Sequence, residues 1–128
     1  MLRKIEAIIR EDKVNDVKES LSKIGIVGLN MFEVRGQGRQ GGIKLVGRAG
    51  TYQVNLLPKI QINIVLSDRN LEAAIDAILN SAQTGEPGDG LIFIYPVDEA
   101  IRVRTRERGQ DAMVYPGDID ARKGKAKS

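Results

Sequence analysis

EVRGQGRQGGIKLVGRAGTYQVNLLPK, residues Glu33 to Lys59, is the stretch on which the reading of the chain turns. It holds Gly36, Gly38, Gly41, Gly42, Gly47 and Gly50, and the cations Arg35, Arg39, Lys44, Arg48 and Lys59. No carboxylate lies between Glu33 and Asp68. Glycines expose backbone N–H groups and accept positive φ, and cations add longer-range attraction, so the segment suits an anion. Gly36, Gly38 and Gly41 spell G-x-G-x-x-G, but a dinucleotide fold needs a helix directly after that motif and an acid roughly 20 residues on. Gly42, Gly47 and Gly50 break any such helix and the acid is missing. The stretch therefore reads as a long glycine-rich loop between two strands, and structureless loops beyond about 12–15 residues are usually functional or disordered.

Outward from the loop, both flanks alternate. On the N-terminal side, Ile5, Ala7 and Ile9 share one face of a strand over 3–9. Lys13 to Ile24 places Val14, Val17, Leu21 and Ile24 at helical spacing, with Gly25 as the stop. A second strand runs from about Val27 to Arg35. On the C-terminal side Pro58 closes the loop, and Ile60, Ile62, Ile64 and Leu66 line one face of a third strand. Ser67-Asp68 caps a helix whose buried stripe is Leu71, Ala74, Ile75, Ile78 and Ala82. After the turn from Gly85 to Gly90, Leu91 to Tyr95 is an apolar run predicted to be a central strand, and Glu99 to Thr105 continues as strand. The order β-α-β-β-α-β predicts an α+β, ferredoxin-like fold. Two helices on one face leave the other uncovered, with Ile8 and Val65 on it, and oligomerisation is the economical way to cover it.

A chain of 128 residues suffices for one domain with a modest core. It has no Cys and no His, which removes disulfides, thiolate metal sites and the commonest acid/base catalyst. No apolar run is long enough to cross a bilayer, and a cytoplasmic protein is the simplest expectation. The formal net charge is +3, yet Ala121 to Ser128 carries four cations and no acid, so removing those four leaves −1 for residues 1–120. The basic balance belongs to a tail and not to the fold, so no nucleic-acid partner is expected.

Four features bear on function. The Gly36–Gly42 turn offers N–H donors with Arg39 and Gln40, and Gly88-Asp89-Gly90 repeats the device at the mouth of another strand. Arg102 and Arg104, two apart on an expected strand, would form a paired cationic clamp suited to phosphate. Lys59 stands at the base of the loop, able to neutralise a small carboxylate. Taken singly, glycine turns are mostly just turns and strand arginines mostly a solvated face. Together they serve one ligand class. Catalysis has no such support, since no Ser has an evident base and the acids are scattered, so a binder is expected and not an enzyme.

In RKIEAIIR, EVRGQGRQGG, LPKIQINIV and TGEPGDGLIFIYPVDEAIRVRTRERG, in that order and spacing, the chain resembles the PII signal-transduction (nitrogen regulatory) proteins. The resemblance covers about residues 1–112, with the loop at about 38–54, and leaves 113–128 as a C-terminal extension with a basic tail. It implies a homotrimer with an adenine nucleotide, ATP or ADP, in each cleft between neighbours. The base would lie near Ile8, Asn30 and Val65. The nucleotide's other contacts would come from Gly36, Gly38, Arg39, Gln40, Gly88, Asp89, Gly90, Leu91, Arg102, Val103 and Arg104. Gln40 would help hold Mg²⁺ beside ATP, and Gly38, Gln40, Lys59 and Gly88 would receive 2-oxoglutarate. The loop would then dock on, or release, a membrane transporter or a metabolic enzyme, as a population shift.

The chain departs from the family pattern at three places. Leu91 stands where a Lys or Arg usually follows Gly-Asp-Gly, which predicts a weakened preference for ATP over ADP or AMP. Tyr52 aligns with the family's modifiable loop tyrosine, but its context Gly47-Arg48-Ala49-Gly50-Thr51 differs, and it reads equally as the start of the returning strand. Met113 to Ser128 runs past the family's usual end, with a Pro116-Gly117 turn and Val114, Tyr115 and Ile119 able to pack back. Two other readings compete: a related sensor of another effector, such as AMP, ADP or bicarbonate, and an RNA-binding ferredoxin-like domain. The latter needs aromatic residues on the sheet, for which Phe93 and Tyr95 are the candidates.

Overall fold

A computed structural model describes residues 1–37, 43–47, 50–54 and 56–121. Strand β1 (Leu2–Arg10) leads through a short 3-10 turn into α1 (Val14–Lys23), followed by β2 (Asn30–Gly36). Strands β3 (Ile43–Gly47) and β4 (Gly50–Val54) form a two-stranded antiparallel ribbon. Then come β5 (Leu57–Ser67), α2 (Leu71–Ala82) and β6 (Gly90–Val97). The main sheet is antiparallel with strand order β2-β5-β1-β6. With the two helices packed on one of its faces, this is the α+β ferredoxin-like arrangement that the pattern predicts.

The core follows from period-2 alternation. Ile5 pairs with Ile64, and Ala7 with Ile62, so the helix-facing side of β1 meets that of β5. These four are fully buried with Val17 and Leu21 of α1 and Ala74 and Ile78 of α2. Ser20 ties the helices by donating from Oγ to the Ala77 carbonyl at 3.1 Å. Helix α1 stops where Gly25 takes φ +90: its N–H donates to Ser22 O, and the Ile26 N–H reaches back to Leu21 O. At the start of the second helical segment, Ser67 Oγ accepts from the Arg69 N–H.

Three expectations need correction. The stretch after β2 is not a bare loop, because Ile43 to Gly47 and Gly50 to Val54 pair in register, from Ile43 with Val54 to Gly47 with Gly50. Both segments carry the β-branched residues that favour strands, and the glycine pair sits at the closed end. The apolar run at Leu91 is an edge strand, not a central one, since among the described residues β6 pairs with β1 alone. Its alternation is masked because both faces are apolar: Ile92 and Ile94 lie opposite Ala7 and Ile5, while Leu91, Phe93 and Tyr95 stand on the open face at 64%, 41% and 42% exposure.

Nor does a strand run from Glu99 to Thr105. Ile101 makes an isolated bridge to Arg108, and the chain between them turns, closed by Arg102 N–H to Glu107 O and Arg106 N–H to Arg102 O. Arg106 there adopts φ +65. Val103, the single apolar residue among these cations, is 94% exposed, so the segment has no face to dock on a sheet.

Candidate functional site

The open face of the sheet carries the site residues in rows that the strand registers fix. Arg10, Lys59 and Val34 form one row; Leu91, Ile8, Gln61 and Phe32 the next; Phe93, Glu6, Asn63 and Asn30 the third. Tyr95, Lys4 and Val65 form the fourth.

At one end of this face lies the glycine turn, and Asp89 holds it together. Its carboxylate accepts from the Thr84 N–H at 2.8 Å, the Gly85 N–H at 2.9 Å, the Thr84 hydroxyl, and Arg10 Nε at 2.9 Å. Those donors, the Thr84 hydroxyl and Arg10 foremost, hold the acid well below the usual carboxylate range. Asp89 is thus the turn's internal anchor. Around it, Arg10 Nη2 donates to Pro87 O at 2.7 Å, and Lys59 Nζ donates to Gly88 O. Desolvation, then the neighbouring Arg10 charge, lowers the Lys59 pKa from its ordinary value. Gly90 closes the turn at φ +110 against β1, where a Cβ would lie 1.7 Å from the Ile8 carbonyl oxygen. The close approach admits glycine alone.

At the other end stand Asn30 and Val65. A polar ladder crosses all four strands between the two ends: Tyr95 OH donates to Glu6, Gln61 Nε2 donates to Glu6 and to Asn63, and Asn63 Nδ2 donates to Asn30. Accepting the tyrosine's bond, Glu6 raises the Tyr95 pKa. Beyond Val65, Arg102 turns inward. Its Nη2 donates to Ala112 O and to Val114 O, both at 2.8 Å, and its guanidinium lies 5.0 Å from the centre of the Tyr115 ring. Arg104 remains exposed. The expected clamp of two arginines on one strand face is therefore replaced by one bonded and one exposed cation.

The structure brings Gly88, Asp89, Gly90, Leu91, Lys59 and Ile8 together, and Asn30 with Val65, but it separates these groups. The row of Ile9 opposite Gly90 and the row of Lys4 opposite Val65 lie five residues apart on β1, about 17 Å at the rise of a strand. Ile8 lies between the two ends, one row from Lys59 and one row from Asn30. Gly36 pairs with Leu57 at the foot of the ribbon. Gly38, Arg39 and Gln40 lie outside the described residues, and of Tyr52 only the backbone is described, within β4.

Arg10 was missed by sequence reasoning, which ended the strand at Ile9. Its signal was its alternation with Ile8, which places it on the open face next to Lys59. Among the described residues there is no cluster of three or more His, Cys, Asp or Glu able to hold a metal, and no helix long and apolar enough to cross a membrane.

A glycine turn flanked by Arg10 and Lys59 at one end of the open face and a polar groove at the other suit a regulator on a ferredoxin-like fold. The family described as Nitrogen regulatory protein P-II matches residues 2–107. Relatives called Nitrogen regulatory protein P-II from Rhodospirillum rubrum and Pasteurella multocida are 49% and 48% identical over 112 residues, covering 88% of this chain and all of each relative. Nitrogen regulatory protein P-II 1 from Methanothermobacter thermautotrophicus is 46% identical over 112 residues, 88% of this chain and 97% of that protein. The chain belongs to the nitrogen regulatory P-II family. Its role is signal transduction, not catalysis.

Proposed function

We propose that the chain assembles as a homotrimer that binds an adenine nucleotide in each cleft between neighbours. The observation that carries this is the separation of the two half-sites. Val65 stands five residues, about 17 Å, along β1 from the row of Gly90, and Asn30 three residues along and three strands across, too far for one chain to wrap a single nucleotide compactly. A neighbour's turn brought beside the first chain's groove completes the site. The uncovered edge of β6 and the exposed Leu91, Phe93 and Tyr95 supply apolar surface for that contact.

In this reading Asn30 and Val65 take the base, while the Gly88 to Leu91 backbone, Arg104 and the loop residues Gly38, Arg39 and Gln40 take the phosphates. Val103 contributes backbone alone. Mg²⁺ is held beside ATP with Gln40, and 2-oxoglutarate is received by Gly38, Gln40, Lys59 and Gly88. Nucleotide and effector together select how the loop at about 38–54 is presented to a transporter or metabolic enzyme in the cytoplasm, and so adjust nitrogen metabolism. Tyr52 lies within the ribbon, in a context unlike that of the family's modifiable tyrosine. The RNA-binding reading loses force because the open-face aromatics flank the Glu6 carboxylate, which would repel a phosphate backbone.

A second reading has its own observation. Leu91, 64% exposed beside Gly90, puts no cation next to the β- and γ-phosphates, which favours ADP or AMP, and with them an effector other than 2-oxoglutarate, such as bicarbonate. Calorimetric titration with ATP, ADP and AMP, each with and without Mg²⁺ and 2-oxoglutarate, separates the two. Binding of 2-oxoglutarate only with Mg-ATP supports the first reading. Tighter ADP or AMP and no response to 2-oxoglutarate supports the second. A monomeric mass by light scattering, or no nucleotide binding at all, overturns both.

A further inference from the structure

We infer that Tyr115, from the segment following the family match, is a base-binding residue of this cleft and forms the wall opposite Asn30 and Val65. The assignment rests on the nucleotide reading above. Lys4, Gly28, Asn30, Asn63, Val65 and Tyr115 line one hollow of about 520 Å³, within the size range of small-ligand pockets. The family match ends at residue 107, so Tyr115 lies outside the part of the chain that the match covers.

The ring is fixed from three sides. The Arg102 guanidinium lies 5.0 Å from its centre, a cation–π distance. Gly28 admits its edge, since a Cβ there would lie 2.7 Å from Tyr115 Cε2. The backbone is pinned on either side: Arg102 Nη2 binds Val114 O just before the ring, and the buried Asp118 accepts from the Tyr115 N–H at 2.7 Å and the Ala121 N–H at 2.9 Å. Further on, the Ile119 N–H donates to Gly25 O, and Asp120 meets Arg69 and Asn70. The segment is strapped from the open face round to the helix layer, and the aromatic ring is presented rigidly where a flat ring can be received. Fixed aromatic surfaces bind bases by stacking at little entropic cost.

Titration of the full-length chain with AMP and with ADP tests the assignment, using wild type, Tyr115→Phe, Tyr115→Ala and Gly28→Ala, with oligomeric mass and melting temperature recorded for each. Tyr115→Ala is expected to weaken AMP and ADP by the same factor, about tenfold for a lost stacking surface. Tyr115→Phe stays within about twofold of wild type, because the ring is retained. Gly28→Ala, which pushes the ring aside without removing it, follows Tyr115→Ala and decides the matter if that variant does not fold. Tyr115→Ala binding within about twofold of a nucleotide-binding wild type overturns the assignment alone. A loss larger for ADP than for AMP also overturns it, since the ring would then act through Arg102 on the phosphates. A wild type that binds neither nucleotide overturns the nucleotide reading and this assignment with it.

Discussion

The two ends of the open face are held by opposite means. At the glycine turn, charged side chains bond to each other and to nearby backbone groups: Arg10 to Asp89 and to the Pro87 carbonyl, Lys59 to the Gly88 carbonyl, and Asp89 to the N–H groups of Thr84 and Gly85. At the far end a segment distant in sequence does the holding, with Ala112 and Val114 offering carbonyls to Arg102 and Tyr115 its ring. The first end is rigid because glycine lets backbone approach backbone. The second is rigid only while the segment after residue 110 stays docked. The turn is therefore fixed by residues of the sheet's own strands β1 and β5, whereas the groove beside Tyr115 depends on a segment that follows the last strand.

The sharpest way to break the first end is Gly90→Ala. The new Cβ has no room against the Ile8 carbonyl and φ +110 is strained, so a loss of at least about 3 kcal/mol in chemical denaturation is expected. Gly85→Ala is the matched comparison, because nothing lies within 4 Å of its Cβ and the φ of +88 alone costs about 1–2 kcal/mol. Equal losses for the two would show that the close approach is not what fixes the turn.

At the other end, Asp118→Ala leaves the N–H groups of Tyr115 and Ala121 without their acceptor, at about 1–3 kcal/mol. Limited proteolysis should then cut after residue 110 while the sheet stays intact. Resistance equal to wild type would mean that the segment is held by its apolar contacts.

A pH titration sharpens the contrast between the ends, since Lys59 titrates at the first one. Its pKa is lowered from 10.5 by desolvation and by Arg10. Between the lowered value and 10.5 the unfolded chain holds more protons at this site than the folded one, so this group makes stability rise with pH there. Anion affinity at the glycine turn should fall over the same window, as the folded lysine loses its charge. Denaturant midpoints and anion titrations across mildly alkaline pH check the opposed signs, and Lys59→Met should remove both trends. The smallest effect belongs to Arg69→Ala, whose exposed pairing with Asp120 contributes about 0.5 kcal/mol, visible as a slight fall in melting temperature.

Much of the fold was legible because it repeats. The alternation of Ile5, Ala7 and Ile9, the stripe of Ala74, Ile78 and Ala82, the stop at Gly25 and the cap at Ser67 each announce themselves within a few residues. The glycine turn was legible for the same reason. What escaped was whatever depends on partners that leave no local mark. Arg102 bonds to carbonyls of Ala112 and Val114, and any residue has a carbonyl. The edge position of β6 was hidden because its open face is as apolar as its helix face. Arg10 was overlooked because the expected strand stops at Ile9, and continuing its alternation by one residue places Arg10 beside Lys59.

The ladder from Tyr95 through Glu6, Gln61 and Asn63 to Asn30 acts as a checksum on strand alignment. A slip of one residue between β1 and β5 would turn Glu6 or Asn63 toward the helices and drive Ile5 or Ile64 out. It would also part Gln61 from Glu6, the rung that crosses between those two strands, and a polar group turned toward the dry core without a partner is heavily penalised. The aliphatic face alone is nearly blind to a shift of two, because Ile follows Ile on β5. The polar face is not, since a shift of two would part Gln61 from Glu6, so the message of how to align is written on the side opposite the core.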